Sequence, residues 1–124
     1  MRKVFKWNNH ELYYSALDAE VSQKFVSAFN ETYDKMMAYE NENVGEDSLL
    51  SFDGIRIECG MINDFFDKVF GEGTAEKLFD GRNELEEHVL AMKKLKNLHY
   101  RQGEDYAKNA KNLFLPVKPN EPVD

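Results

Sequence analysis

Cysteine occurs once in the 124 residues, at Cys59, so an internal disulfide is excluded. A lone thiol suits a reducing compartment, and the expected location is the cytoplasm of the host cell. No run of about 18 apolar residues exists, which excludes a membrane-spanning helix. Met1-Arg-Lys-Val-Phe-Lys-Trp7 starts basic but is followed by no apolar stretch, so no signal peptide is expected. Positive charge is also scarce. Sixteen Lys and Arg stand against 23 Asp and Glu, giving a net charge of −7 and a pI near 5.0. General nucleic-acid and anionic-membrane binders need surplus Lys and Arg, so neither kind of partner is expected. No Gly-x-Ser-x-Gly elbow or Walker-type loop is present.

Apolar material is ample: 42% of residues are hydrophobic and 13% aromatic. A chain of this length forms one domain and buries roughly two thirds of its unfolded surface. The charge is unevenly spread. Residues 11–50 hold nine acids and two bases, and residues 82–124 hold seven acids and eight bases. An acidic helix followed by a lysine-bearing one is compatible with two solvated faces or with self-association as a homo-oligomer.

The expected fold class is α+β and predominantly α-helical, with an N-terminal β-hairpin packed on three main helices and one short helix. A two-residue turn at Asn8-Asn9 sets a register that pairs Phe5 with Leu12 and Trp7 with His10 on one face. Lys6 faces Glu11 on the other. Asp18 is the expected N-cap of a helix over about 19–41, with Val21, Phe25, Ala28, Phe29, Thr32, Met36 and Tyr39 at helical spacing. Residues 41–47 read as a loop. Residues 54–60 alternate like a strand, yet Ile55, Cys59, Ile62, Phe66 and Val69 form a helical stripe that outlasts the alternation. A helix over about 48–70 follows, stopped by Gly71. Thr74 is expected to cap a short helix closed by Gly81. Asn83 and Glu86 suggest a capping box for a last helix to about Gln102, with Leu85, Val89, Met92, Leu95 and Leu98 as its stripe. Gly103 is the expected stop. The domain then covers 1–103, and 104–124 is a mobile tail bearing Pro116, Pro119 and Pro122.

Candidate chemistry is thin. Gly71-Glu72-Gly73 lacks the third glycine of a dinucleotide fingerprint and reads as helix punctuation. From Asp64, the third and twelfth positions of a calcium loop fall on Phe66 and Ala75, which supply no side-chain oxygen. Glu84, Glu87 and His88 have the wrong spacing for a carboxylate-bridged metal site, and His88 lies about 16 Å along a helix from His99. Cys59 sits on an apolar stripe, as a buried thiol does. Trp7, Tyr13 and Tyr14 read as core rather than a base-stacking platform, because the next helix is acidic. Catalytic residues, cofactor and metal are therefore expected to be none. Phe65, Phe66, Phe70 and Phe79 exceed the needs of one helix face. They either fill a corner or line a groove for another protein.

The stretch carrying Cys59, Ile62, Phe65, Phe66, Asp67, Phe70, Gly71, Glu72, Gly73, Thr74, Lys77, Phe79 and Gly81 resembles a family of small tailed-phage and prophage proteins of Gram-positive hosts. The resemblance covers about residues 3–102 and is specific around 59–81. Asp80 departs from it where a glycine is expected, as does the tail after Gln102. The family's members are similar to phage tail assembly chaperones. The resemblance implies a non-enzymatic cytoplasmic protein that binds the phage tape-measure protein, or another tail protein, during tail morphogenesis. Alternatives are a virion structural or tail-completion component and an acidic host-factor inhibitor. Phe65, Phe70, Leu113 and Phe114 are the expected protein-binding residues. Phe66, Gly71, Gly73, Thr74, Phe79 and Gly81 are the expected structural corner.

Overall fold

The computed structural model describes residues 2–45 and 50–117. Strands β1 (Val4–Trp7) and β2 (His10–Tyr13) form an antiparallel hairpin, followed by helices α1 (Ala19–Asn43), α2 (Phe52–Phe70), α3 (Thr74–Phe79) and α4 (Leu85–Leu113). The fold is thus predominantly α-helical α+β. The hairpin register is the one the sequence implies: Val4 opposite Tyr13, Phe5 opposite Leu12, Lys6 opposite Glu11, Trp7 opposite His10. Lys6 Nζ lies 3.1 Å from Glu11 Oε1. Asn8 and Asn9 both have positive φ, as a tight hairpin turn requires. Glycine would satisfy that backbone as well, but Asn8 also donates to the Leu78 carbonyl and to the Glu87 carboxylate. Its side chain pins the turn onto α3 and α4.

Asp18 caps α1, accepting from the Glu20 and Val21 amides. Helix α2 begins after Ser51, whose hydroxyl accepts from the Gly54 amide, and residues 54–60 are helical throughout. The expected start near 48 lies outside the described residues. Helix α2 is central, packing against α1 on one side and against α3 and α4 on the other. That position explains its composition. Cys59, Ile62, Phe65, Phe66 and Val69 are all buried, because the helix has apolar neighbours on more than one face. Phe65 meets Phe25 and Phe29 of α1, and Phe66 meets Phe5 of the hairpin and Phe79 of α3.

The corner between α2 and α3 is built from the phenylalanine- and glycine-rich stretch. Gly71, Gly73 and Gly81 have φ of +118°, +88° and +72°. The Asp67 carboxylate accepts from the Ala75 amide at 2.9 Å and so caps α3 from the end of α2. Thr74 does not cap by accepting. It is the first residue of α3 and buried, and its hydroxyl donates to the Gly71 carbonyl at 2.7 Å. Asp80 takes the left-handed conformation at φ +52°, which explains why a glycine would be expected there.

Two features of α4 depart from expectation. Its N-cap is Glu84, whose carboxylate accepts from the Glu86 and Glu87 amides, rather than an Asn83 box. And Gly103 does not stop it. The helix runs on to Leu113, so residues 104–113 are helical rather than tail. Lone glycine costs a helix interior only about 1 kcal/mol, which the roughly five preceding turns and the ten helical residues beyond readily absorb. Pro116 follows the helix end, while Pro119 and Pro122 lie outside the described residues.

Candidate functional site between α1 and α4

Helices α1 and α4 meet where the rings of Phe25 and His99 stack, with centroids 4.5 Å apart. Beyond that contact their facing side chains line an open groove of about 470 Å³. Phe29, Tyr33, Met36, Met37 and Glu40 come from α1, and Val89, Met92, Lys93, Lys96 and Asn97 from α4. The α1 residues recur at helical spacing because the apolar stripe of that helix is wider than α2 can cover. Tyr33, Met37 and Val89 stay 56%, 42% and 42% exposed. Val89 was expected in the core. The buried face of α4 instead runs through His88, Ala91, Met92, Leu95 and Gln102, and Val89 is rotated into the groove.

The groove has a polarity. Lys96 Nζ sits 5.5 Å from the centre of the Phe29 ring at one end. Glu40 stands at the other, in the last turns of α1, where no basic residue offsets the helix dipole. Three methionines and two aromatic rings along the groove make an adaptable apolar surface, suited to a side-chain stripe from another helix.

The expected binding residues divide. Phe65 is fully buried and cannot touch a partner, because α1 covers it. Phe70 is half-buried, with its ring packed on Phe5, Tyr14 and Phe66. Leu113 and Phe114 are 69% and 75% exposed at the end of α4. Phe66, Thr74 and Phe79 are buried in the corner.

Among the described residues, buried polar side-chain atoms have structural partners except Trp7 Nε1 and the two Glu58 carboxylate oxygens. His88 places Nδ1 2.7 Å from the Glu84 carbonyl and Nε2 3.0 Å from Asn63 Oδ1, with its ring stacked 3.8 Å from Phe79. Neither nitrogen is left for a metal. Burial holds its pKa below the ordinary imidazole value. The Tyr14 hydroxyl bonds His99 Nδ1 at 2.6 Å, and desolvation lowers His99 and raises Tyr14. Cys59 is buried and its thiol is pushed up to about 11, first by burial and then by nearby carboxylates. Among the described residues, no group of three or more His, Cys, Asp and Glu is placed to hold a metal ion, and no helix is long and apolar enough to cross a membrane.

The ionisable exception is Glu58. Its side chain is fully buried on α2 and neither carboxylate oxygen has a hydrogen-bond partner. Burial, helped by the charge of Glu40, raises its pKa to about 7. Sequence reading missed it, although a signal existed. Glu58 lies three residues after Ile55 and four before Ile62, inside the apolar stripe.

Neither a curated protein nor a solved structure matches the chain. A family model matches residues 8–121, nearly the whole of it, and the chain therefore belongs to DUF6673, a family of unknown function.

Proposed function

We propose that this chain is a non-enzymatic binding protein whose α1/α4 groove takes an apolar stripe of a helical partner. The observation that carries the reading is the groove itself, apolar along its length and closed by an acid at one end and lysines at the other. The resemblance of residues 59–81 to small tailed-phage proteins supplies the partner: the tape-measure protein, for which the chain acts as a tail assembly chaperone in the host cytoplasm. A long helical protein with uncovered apolar stripes aggregates unless those stripes are covered reversibly. A small domain with net charge −7 keeps such a complex soluble.

Co-expression with a phage tape-measure protein tests this. The soluble fraction of that protein should rise, and Met37→Glu in the groove should cancel the rise. An unchanged soluble fraction sinks the chaperone role. The exposed end of α4 favours a second reading, a virion structural component anchored by Leu113 and Phe114. Mass spectrometry of purified particles separates the two, since a chaperone is absent from the finished virion.

A further inference from the structure

We propose that the exposed end of α4, carried by Leu113 and Phe114, docks into the α1/α4 groove of a second copy of this chain. Among the described residues, the end of α4 continues a core face and stays exposed. Leu95 and Gln102 are buried, and Tyr106, Ala110 and Leu113 extend their line at helical spacing beyond the domain. Tyr106, Leu113 and Phe114 are 40%, 69% and 75% exposed.

The chain cannot cover this end with its own groove. Seventeen residues of unbroken helix separate Lys96 from Leu113, about 25 Å at 1.5 Å per residue. Only another molecule can bring Leu113 and Phe114 to Met37 and Val89. The charges also match in order. Along α4 the acids Glu104 and Asp105 precede Lys108 and Lys111, and along the groove Lys96 stands at one end and Glu40 at the other. An incoming helix lying parallel to α1, with its tip toward Glu40, sets Lys111 near Glu40 and Glu104 near Lys96. Plug and socket are different patches, so two copies either exchange tips in a closed two-fold dimer or join head-to-tail into a ring or an open chain.

The proposal uses the same groove as the tape-measure reading, so the two occupants compete for it, but its test needs this chain alone and its failure leaves that reading standing. Sedimentation velocity of the full chain should show mass rising with concentration from the monomer to a dimer or beyond. Phe114→Ser and Met37→Glu should each weaken association about ten- to a hundredfold, the worth of one buried apolar side chain, with unchanged circular dichroism. Both variants keep one competent half. Mixed, they should give heterodimers that grow no further. A chain that stays monomeric at every concentration overturns the proposal. So does association lost in one variant but intact in the other, which marks a tip-to-tip or groove-to-groove contact. A mixture that forms no heterodimer overturns it as well.

Discussion

Phe66 ties α2 to β1 and α3, with the rings of Phe5, Phe65, Phe70 and Phe79 around it. Phe66→Ala should therefore cost about 3–5 kcal/mol, read as a shifted urea midpoint at unchanged slope. Glu58 works in the opposite sense. Its folded-state carboxyl keeps its proton up to about pH 7, against an ordinary value of 4.5. Where both folded and unfolded states are protonated there is no penalty. As pH rises from 4.5 through 7 the unfolded chain ionises first, so the folded state loses stability across that window. Glu58→Met, which keeps the length and removes the orphan oxygens, should gain about 1–3 kcal/mol at pH 8 and less at pH 4.5. An equal effect at both values would show that the carboxyl is not ionised on unfolding in this way. His88 and His99 act on the acid side. Their lowered values mean that the unfolded chain takes up protons first as pH falls through the ordinary 6.5, and stability drops there too.

At the scale of elements, much was legible because local rules and tertiary packing agreed. The Asn8-Asn9 turn and the Asp18 cap each have one physical solution, and the longer α2 stripe outweighs the strand-like alternation of 54–60; the structure adopts all three. The failures fall where one residue type serves two ends. Glycine at 71 is a stop, whereas glycine at 103 lies inside a helix, and only the flanking packing distinguishes them. The two positions should respond oppositely to alanine. At Gly71, φ +118° and ψ 154° lie in a region that only glycine enters freely, so Gly71→Ala should destabilise by about 1–3 kcal/mol. At Gly103 an added Cβ meets open space, and Gly103→Ala should stabilise by about 0.4–1 kcal/mol. Thermal unfolding of both variants checks the pair. Destabilisation by Gly103→Ala would mean that α4 ends near Gln102 after all. The groove was less legible still. Phe65 reads as a spare aromatic until α1 is laid over it, and Val89 reads as core until the true buried face of α4 is known. Which side of a wide apolar stripe stays open depends on helix placement, and spacing along one helix does not encode that.

At the scale of the whole molecule, the chain's beginning and the late part of α4 are held together by one side chain. Gln102 is buried. Its Oε1 accepts from the Ala16 amide at 2.7 Å, and its Nε2 donates to the carbonyls of Arg2 at 2.8 Å and Tyr14 at 3.0 Å. Lys94 adds a bond from Nζ to the Lys6 carbonyl. Gln102→Ala leaves a buried amide and two carbonyls without their partner and should cost about 1–3 kcal/mol. Most of that loss belongs to the hairpin, since the helices keep their own contacts through α2.

Trp7 makes that loss visible by light. It is the sole tryptophan of the chain, half-buried on the hairpin with Lys94 Nζ 5.8 Å from its ring centre. Its emission wavelength tracks the seating of the hairpin, while far-ultraviolet ellipticity tracks the helices. In the unaltered protein the two signals should change together on heating. In Gln102→Ala the red shift of Trp7 should come first, so that a single natural fluorophore times the release of the strands apart from the melting of the helical body.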